Sequence, residues 1–215
     1  MNKENISEYV KKCAMEHFNE KEEDIDLAHK DTVGIAYYIA LVAHEGQKRA
    51  NGAPYIMHPL AIYQRYRNII NIDDDDFDPY ELMDVYGIPF WGVQEICLLH
   101  DVVEDTEFTL KDIEQMYKEL NQELYFKTYI ENQLWLITHE KEDDYETYMN
   151  DVLCIKVSAL VKLLDLTDNL NVLGLDKFED DEYERSLRYV KYLRMINDKF
   201  HFVEKFNKYR RACLG

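Results

Sequence analysis

Glycine and proline are scarce, at 7 and 4 residues in a chain of 215. Sandwiches and barrels turn tightly and often and draw on both residues, so their scarcity counts against an all-β fold and favours long helices. The four cysteines, Cys13, Cys97, Cys154 and Cys213, are widely spaced with no CxxC pair, which excludes a zinc ribbon or a thioredoxin-type redox motif. Cys97 and Cys154 lie in apolar runs and read as buried thiols, in keeping with a reduced, cytoplasmic setting. No apolar run is long enough to span a membrane, and Met1-Asn2-Lys3-Glu4-Asn5 leads into charged sequence rather than an apolar leader. Positive charge is also short. With 25 Lys and Arg against 43 Asp and Glu, the formal net charge is −18. Such a surface repels nucleic acid. It also repels a small anionic substrate at long range, so phosphate chemistry would need a locally positive pocket or a metal ion.

What is present is a 47% hydrophobic chain with helical periodicity and no convincing strand. The reading is all-α, a single helical bundle. An amphipathic helix is expected near 5–24, with Ile6, Val10, Cys13, Ala14 and Phe18 on its apolar face. Asp31-Thr32 caps a core helix from Val33 to about Arg49. Asn51-Gly52 and Ala53-Pro54 make a turn that delivers His58 to the entrance of a helix running to Ile70. The acidic stretch 71–80, which contains Asp73 to Asp76, lacks the order of an EF-hand and reads as a solvated loop. Pro89 is expected to open a helix through Trp91 to Leu99. Thr109 caps Leu110 to Leu120, and further helices follow over 124–137, 145–154, and from Ile155 to about Val172, closed by Gly174. One long aromatic helix over 181–211 completes the chain, its Tyr and Phe stripe read as core packing.

The stretch Leu98-Leu99-His100-Asp101-Val102-Val103-Glu104-Asp105-Thr106 carries the densest chemistry. An adjacent His-Asp pair can present nitrogen and oxygen ligands to one ion if the backbone turns sharply. Glu104 and Asp105 follow one helical turn on. Asp165 lies among Leu163, Leu164 and Leu166, where an unpartnered carboxylate would cost several kcal/mol. With His58, these residues make a mixed N/O set that suits Mn²⁺ or Fe²⁺ better than a closed zinc site. Taken one at a time, a structural role for His58 and a solvated helix end for Glu104-Asp105 remain open.

Three ordered segments settle the context. Ala43-His44-Glu45-Gly46-Gln47-Lys48-Arg49 with Pro54-Tyr55-Ile56-Met57-His58-Pro59, then the His100-Asp101 stretch, then Val161-Lys162-Leu163-Leu164-Asp165-Leu166-Thr167-Asp168-Asn169-Leu170, resemble the motifs of HD-domain hydrolases of the RelA/SpoT type. The resemblance implies an all-α fold and a metal-dependent phosphohydrolase that removes the 3′-pyrophosphate of (p)ppGpp. It implies one domain over 1–215, with a motif-bearing core over about 31–175 and the N-terminal and long C-terminal helices packed on it. It implies one Mn²⁺ held by His58, His100, Asp101 and Asp165, and Glu104 and Asp105 as the catalytic acids that orient and deprotonate water. Arg49 matches the family's nucleotide-facing arginine and Asn169 its nucleotide-contacting asparagine. Lys48 and Lys162 could add positive charge or lie solvated. Tyr145, with Tyr148, falls where aromatic residues border the pocket or pack in the core.

The third segment departs from the family's Ala-Asp-Arg-Leu-His-Asn pattern. Leu166 replaces the arginine, Asp168 the histidine, and Val172 a threonine. Losing a cation and gaining an acid is expected to weaken contacts to guanosine or phosphate. Two other readings therefore stand beside (p)ppGpp hydrolysis. One is an HD phosphohydrolase or pyrophosphatase for another nucleotide, and the other is a nucleotide-binding HD module without turnover. The chain is expected to act without a synthetase domain, like the small alarmone hydrolases. The expected partner is a small nucleotide, not nucleic acid or membrane, and the oligomeric state stays open.

Overall fold

The computed structural model describes residues 5–139, 144–171, 177 and 179–213. Among them every regular element is a helix, and the only bridge pairs Lys48 with Pro54 across a turn.

The molecule is built outward from α6 (Val93–Leu99), every residue of which is buried. Helices α3 (Thr32–Ala43), α4 (Met57–Ile70) and α12 (Lys156–Asn169) pack around it. A helix enclosed this way has no polar face to spend on water, and its two polar residues are paired. Glu95 accepts from the Thr32 hydroxyl at 2.6 Å, and Gln94 accepts from Arg67 at 3.2 Å. On the outer side of α3 lie α1 (Ile6–Phe18) and α2 (Glu22–Ala28). The short α5 (Pro79–Asp84) is capped by Asp78. After α6 come α7 (Val102–Asp105) and α8 (Leu110–Glu119), the latter opened by the expected Thr109 cap, which forms a full capping box with Asp112. Helices α9 (Glu123–Tyr129), α10 (Glu131–Ile137) and α11 (Tyr145–Val152) lead to α12, against which α13 (Asp180–Phe200) packs. The last helix, α14 (Phe202–Cys213), lies on α4, where the Tyr209 hydroxyl donates to the Ile70 carbonyl at 2.7 Å.

Several elements differ from the sequence expectation for local reasons. The core helix α3 stops at Ala43, not near Arg49, because His44–Arg49 forms a turn closed by the His44–Gln47 side-chain bond at 2.8 Å. Pro89 does not open α6. The helix starts only after Gly92, whose φ of +80° favours glycine and whose Cβ, if present, would meet the Tyr129 carbonyl oxygen at 2.3 Å. The single helix expected over 124–137 is two, broken at Ile130, where φ is −117°. The long C-terminal helix is also two, because His201 adopts φ +54°. Cys97 is buried as expected, but Cys154 is exposed, since it falls in the turn between α11 and α12. Asp73 to Asp76 are exposed, as a solvated loop requires. Gly174 and Val172 lie outside the described residues.

Candidate active site

His58 sits in the first turn of α4, held there by the turn that ends at Tyr55, whose carbonyl accepts from the His58 N–H at 2.9 Å. His100 closes α6, and Asp101, still in the right-handed region at φ, ψ of −96°, −7°, forms with it the turn that precedes α7. The chain thus turns between α6 and α7, which lets the adjacent His and Asp face one centre. Asp165 comes from the middle of α12. Three elements that pack on one another therefore bring the four expected ligands together.

The distances are short. His58 Nε2 lies 3.2 Å from Asp165 Oδ1 and 3.6 Å from Asp101 Oδ2. His100 Nε2 lies 3.1 Å from Asp101 Oδ2 and 3.9 Å from Asp165 Oδ1. Ligand atoms of His58, His100 and Asp101 all fall within 4.8 Å of one another. The ring orientations point the same way. His100 Nδ1 is engaged by the Cys97 carbonyl at 3.0 Å, while its buried Nε2 makes no hydrogen bond among the described residues. An imidazole nitrogen without a hydrogen bond, facing two carboxylates and a second imidazole, makes a donor set that could hold a divalent cation.

The charges fit that reading. Burial opposes ionisation of Asp101 and Asp165 but is outweighed by His100 beside Asp101 and by Lys162 beside Asp165, so both carboxyls are held well below the usual range. Burial also opposes a charged His58, yet hydrogen bonds to Asp165 and Asp168 raise its pKa to about 9.

Glu104 and Asp105 stand at the rim of the same cavity, of about 540 Å³, which also exposes Tyr145, Lys162 and Asn169. The Glu104 carboxylate accepts from the His139 N–H at 3.0 Å, and burial pushes its pKa up. Asp105 is held twice, through its carboxylate by the Tyr55 hydroxyl at 3.2 Å and through its carbonyl by Gln47 at 2.8 Å. Lys162 pairs with Asp165 Oδ2 at 2.9 Å and lies 5.4 Å from the centre of the Tyr148 ring, so it belongs to the pocket and is not solvated. Asn169 donates to Asp165 Oδ1 at 2.6 Å. Lys48 and Arg49 line an adjoining recess that shares Tyr55, His58, Asn169 and Tyr189 with the main cavity. Tyr148 is core, its hydroxyl bonded to the Ile137 carbonyl.

Sequence reading missed two groups. The Tyr55 hydroxyl lies 2.7 Å from Asp101 Oδ2 and 3.2 Å from Asp105 Oδ2, so its one proton is shared between a candidate ligand carboxylate and a catalytic candidate. Helix α13 contributes Arg185, Arg188, Tyr189 and Tyr192 to the cleft. Their spacing of three, four and seven puts them on one helical face, a signal present in the sequence but outside the Tyr183, Leu187 and Val190 stripe that reads as packing. Asp168, expected to weaken the pocket, is buried and engaged by His58 and Arg49.

With this geometry in view, the relatives are informative. No family model matches the chain. The bifunctional (p)ppGpp synthase/hydrolase SpoT of Escherichia coli strain K12 is 32% identical over 142 residues, 65% of this chain and 18% of that protein. The guanosine-3′,5′-bis(diphosphate) 3′-pyrophosphohydrolase of Vibrio cholerae is 30% identical over 142 residues, 65% of this chain and 17% of that protein. Over this stretch the chain is similar to proteins named as (p)ppGpp hydrolases. A probable enzyme of the same name from Mycoplasma genitalium is 28% identical over 153 residues, or 66% of the chain. The chain spans less than a fifth of the length of these relatives.

Proposed function

We propose that the chain is a metal-dependent phosphohydrolase that removes the 3′-pyrophosphate of (p)ppGpp, with Mn²⁺ as its ion. The observation that carries this reading is the meeting, in one cleft, of a four-residue His/Asp cluster, two acids at its rim and a cationic recess. The relatives' names support the substrate. His58, His100, Asp101 and Asp165 would hold the ion, which supplies positive charge against the phosphate and lowers the pKa of a water molecule.

The other steps belong to the chain. Glu104, with one oxygen fixed by the His139 N–H and a pKa raised by burial, would accept a proton from the attacking water. Asp105, pinned by Tyr55 and Gln47, orients that water. Lys48, Arg49, Arg185 and Arg188 offer charge to the phosphates, and Tyr189 and Tyr145 line the cleft beside them. This local positive charge is what an anionic nucleotide needs to approach a molecule of net charge −18. That same net charge supports a small-molecule partner over nucleic acid, and four free thiols support a reduced, cytoplasmic setting.

The test is incubation of the protein with ppGpp and Mn²⁺. Release of pyrophosphate with GDP as co-product is expected. Metal binding without that release removes the reading. A nucleotide panel run alongside addresses the pairing of Arg49 with Asp168. Faster turnover of another nucleotide would shift the substrate while leaving the chemistry in place.

A further inference from the structure

We propose that Asp168 is a positioning residue that joins the ligand His58 to the substrate-facing Arg49, a linkage the family's usual histidine at this place cannot make. The proposal rests on the metal-dependent reading above. Asp168 lies one turn beyond Asp165 on α12 and is buried. Its Oδ2 accepts from His58 Nδ1 at 2.7 Å and from the Arg49 guanidinium at 2.9 Å. Its Oδ1 faces the Arg65 guanidinium at 3.6 Å, and a second Arg65 nitrogen is buried with no hydrogen-bond partner among the described residues.

The chemistry of the acceptor decides what this does. An ionised carboxylate only accepts, so the proton in the bond belongs to His58 Nδ1, and Nε2 is the nitrogen left to face Asp165 and Asp101. A carboxylate behind a metal-binding imidazole fixes its tautomer and makes it a stronger donor. An imidazole at 168 has one acceptor nitrogen at most. It cannot take bonds from His58 and Arg49 together, and it brings no negative charge. The second departure in the same motif fits this arrangement. Leu166 is buried and apolar, so α12 carries no cation there, and Arg65 from α4 stands beside the new acid instead. The two substitutions thus read as one rearrangement, in which a carboxylate on α12 is balanced by arginines from the Arg49 turn and from α4.

The test separates metal affinity from turnover. Mn²⁺ binding is measured by calorimetry without nucleotide, folding by circular dichroism, and the KM for ppGpp separately. Asp168→Asn is expected to stay folded, to bind Mn²⁺ about 10–100-fold more weakly and to raise KM. Arg49→Gln is expected to raise KM with Mn²⁺ affinity unchanged. Thr167→Ala, an exposed neighbour on α12, is expected to alter neither. Asp168→Glu should recover most of the Mn²⁺ affinity, and Asp168→His, which installs the family residue, should not. Native Mn²⁺ affinity in folded Asp168→Asn or Asp168→His overturns the proposal, as does an equal loss in Thr167→Ala. A wild-type protein that binds no Mn²⁺ overturns the metal reading itself, and the nucleotide-free measurement tells the two failures apart.

Discussion

At the scale of the residue, neighbouring acids owe different properties to different surroundings. Asp101 and Asp165 face imidazoles and Lys162 and stay ionised, while Glu104, three positions from Asp101, is raised by burial. A carboxylate so placed is suited to taking a proton rather than holding an ion. Glu104→Gln keeps the shape and the acceptor for His139 but removes the base. Turnover of ppGpp is expected to fall about 10²–10⁴-fold, with Mn²⁺ affinity retained in calorimetry. Loss of metal together with activity would place Glu104 among the ligands instead. Glu95 offers a second case, away from the cleft. Burial raises its pKa, and the Thr32 hydrogen bond only partly offsets this. A carboxyl raised on folding binds more protons in the native state, so its contribution to stability falls as pH rises from the unfolded pKa through the folded one. Glu95→Gln can still accept from Thr32 and carries no charge. It is expected to be more stable than wild type at pH 7, with the gap closing as pH falls towards about 4. Urea midpoints for both proteins at several pH values check the sign.

At the scale of the element, the site depends on where helices stop. The break between α6 and α7 is what turns His100 and Asp101 to one centre, and it is reached from a helix whose start is set by Gly92. Gly92→Ala places a Cβ against the Tyr129 carbonyl at a φ that disfavours it. The expected loss of stability is about 1–3 kcal/mol, read from chemical denaturation. Because α6 is packed on α3, α4 and α12, the same change should also weaken Mn²⁺ binding by shifting His100. A destabilised variant with native Mn²⁺ affinity would show that α6 adjusts without moving its C-terminal end.

At the scale of the molecule, the four candidate ligands join α4, the α6–α7 turn and α12. An ion bound there bridges three elements of the native state and has no comparable partner in the unfolded chain. At a hundredfold excess over its Kd, Mn²⁺ is expected to stabilise the fold by about 2.7 kcal/mol. For a chain of this size that corresponds to a rise in Tm of roughly 5–10 °C, reversed by chelation in a thermal scan. The charge distribution works at the same scale. In a chain with an excess of acids, Lys48, Arg49, Arg185 and Arg188 place positive side chains along the cleft beside the acidic cluster.

Much of this was legible in the chain by itself. The scarcity of glycine and proline with apolar residues at helical spacing is enough for an all-α fold, because helix formation is governed by local spacing. The ligand set was legible because His58, the His100-Asp101 pair and Asp165 stand in ordered motifs, and because a carboxylate among leucines demands a partner. Helix breaks at Ile130 and His201 were not, since neither residue type interrupts a helical pattern, yet Ile130 takes φ −117° and His201 φ +54°. Nor was the exposure of Cys154, which depends on where two helices meet. Asp168 shows the division most clearly. In sequence it is an acid where the family has a base, an apparent loss to the pocket. Only the packing of α12 against α4 brings it to 2.7 Å from His58, with Arg49 at 2.9 Å on the same oxygen. Contacts between residues more than a hundred positions apart follow no local rule, and they decide whether a buried charge is a defect or a support.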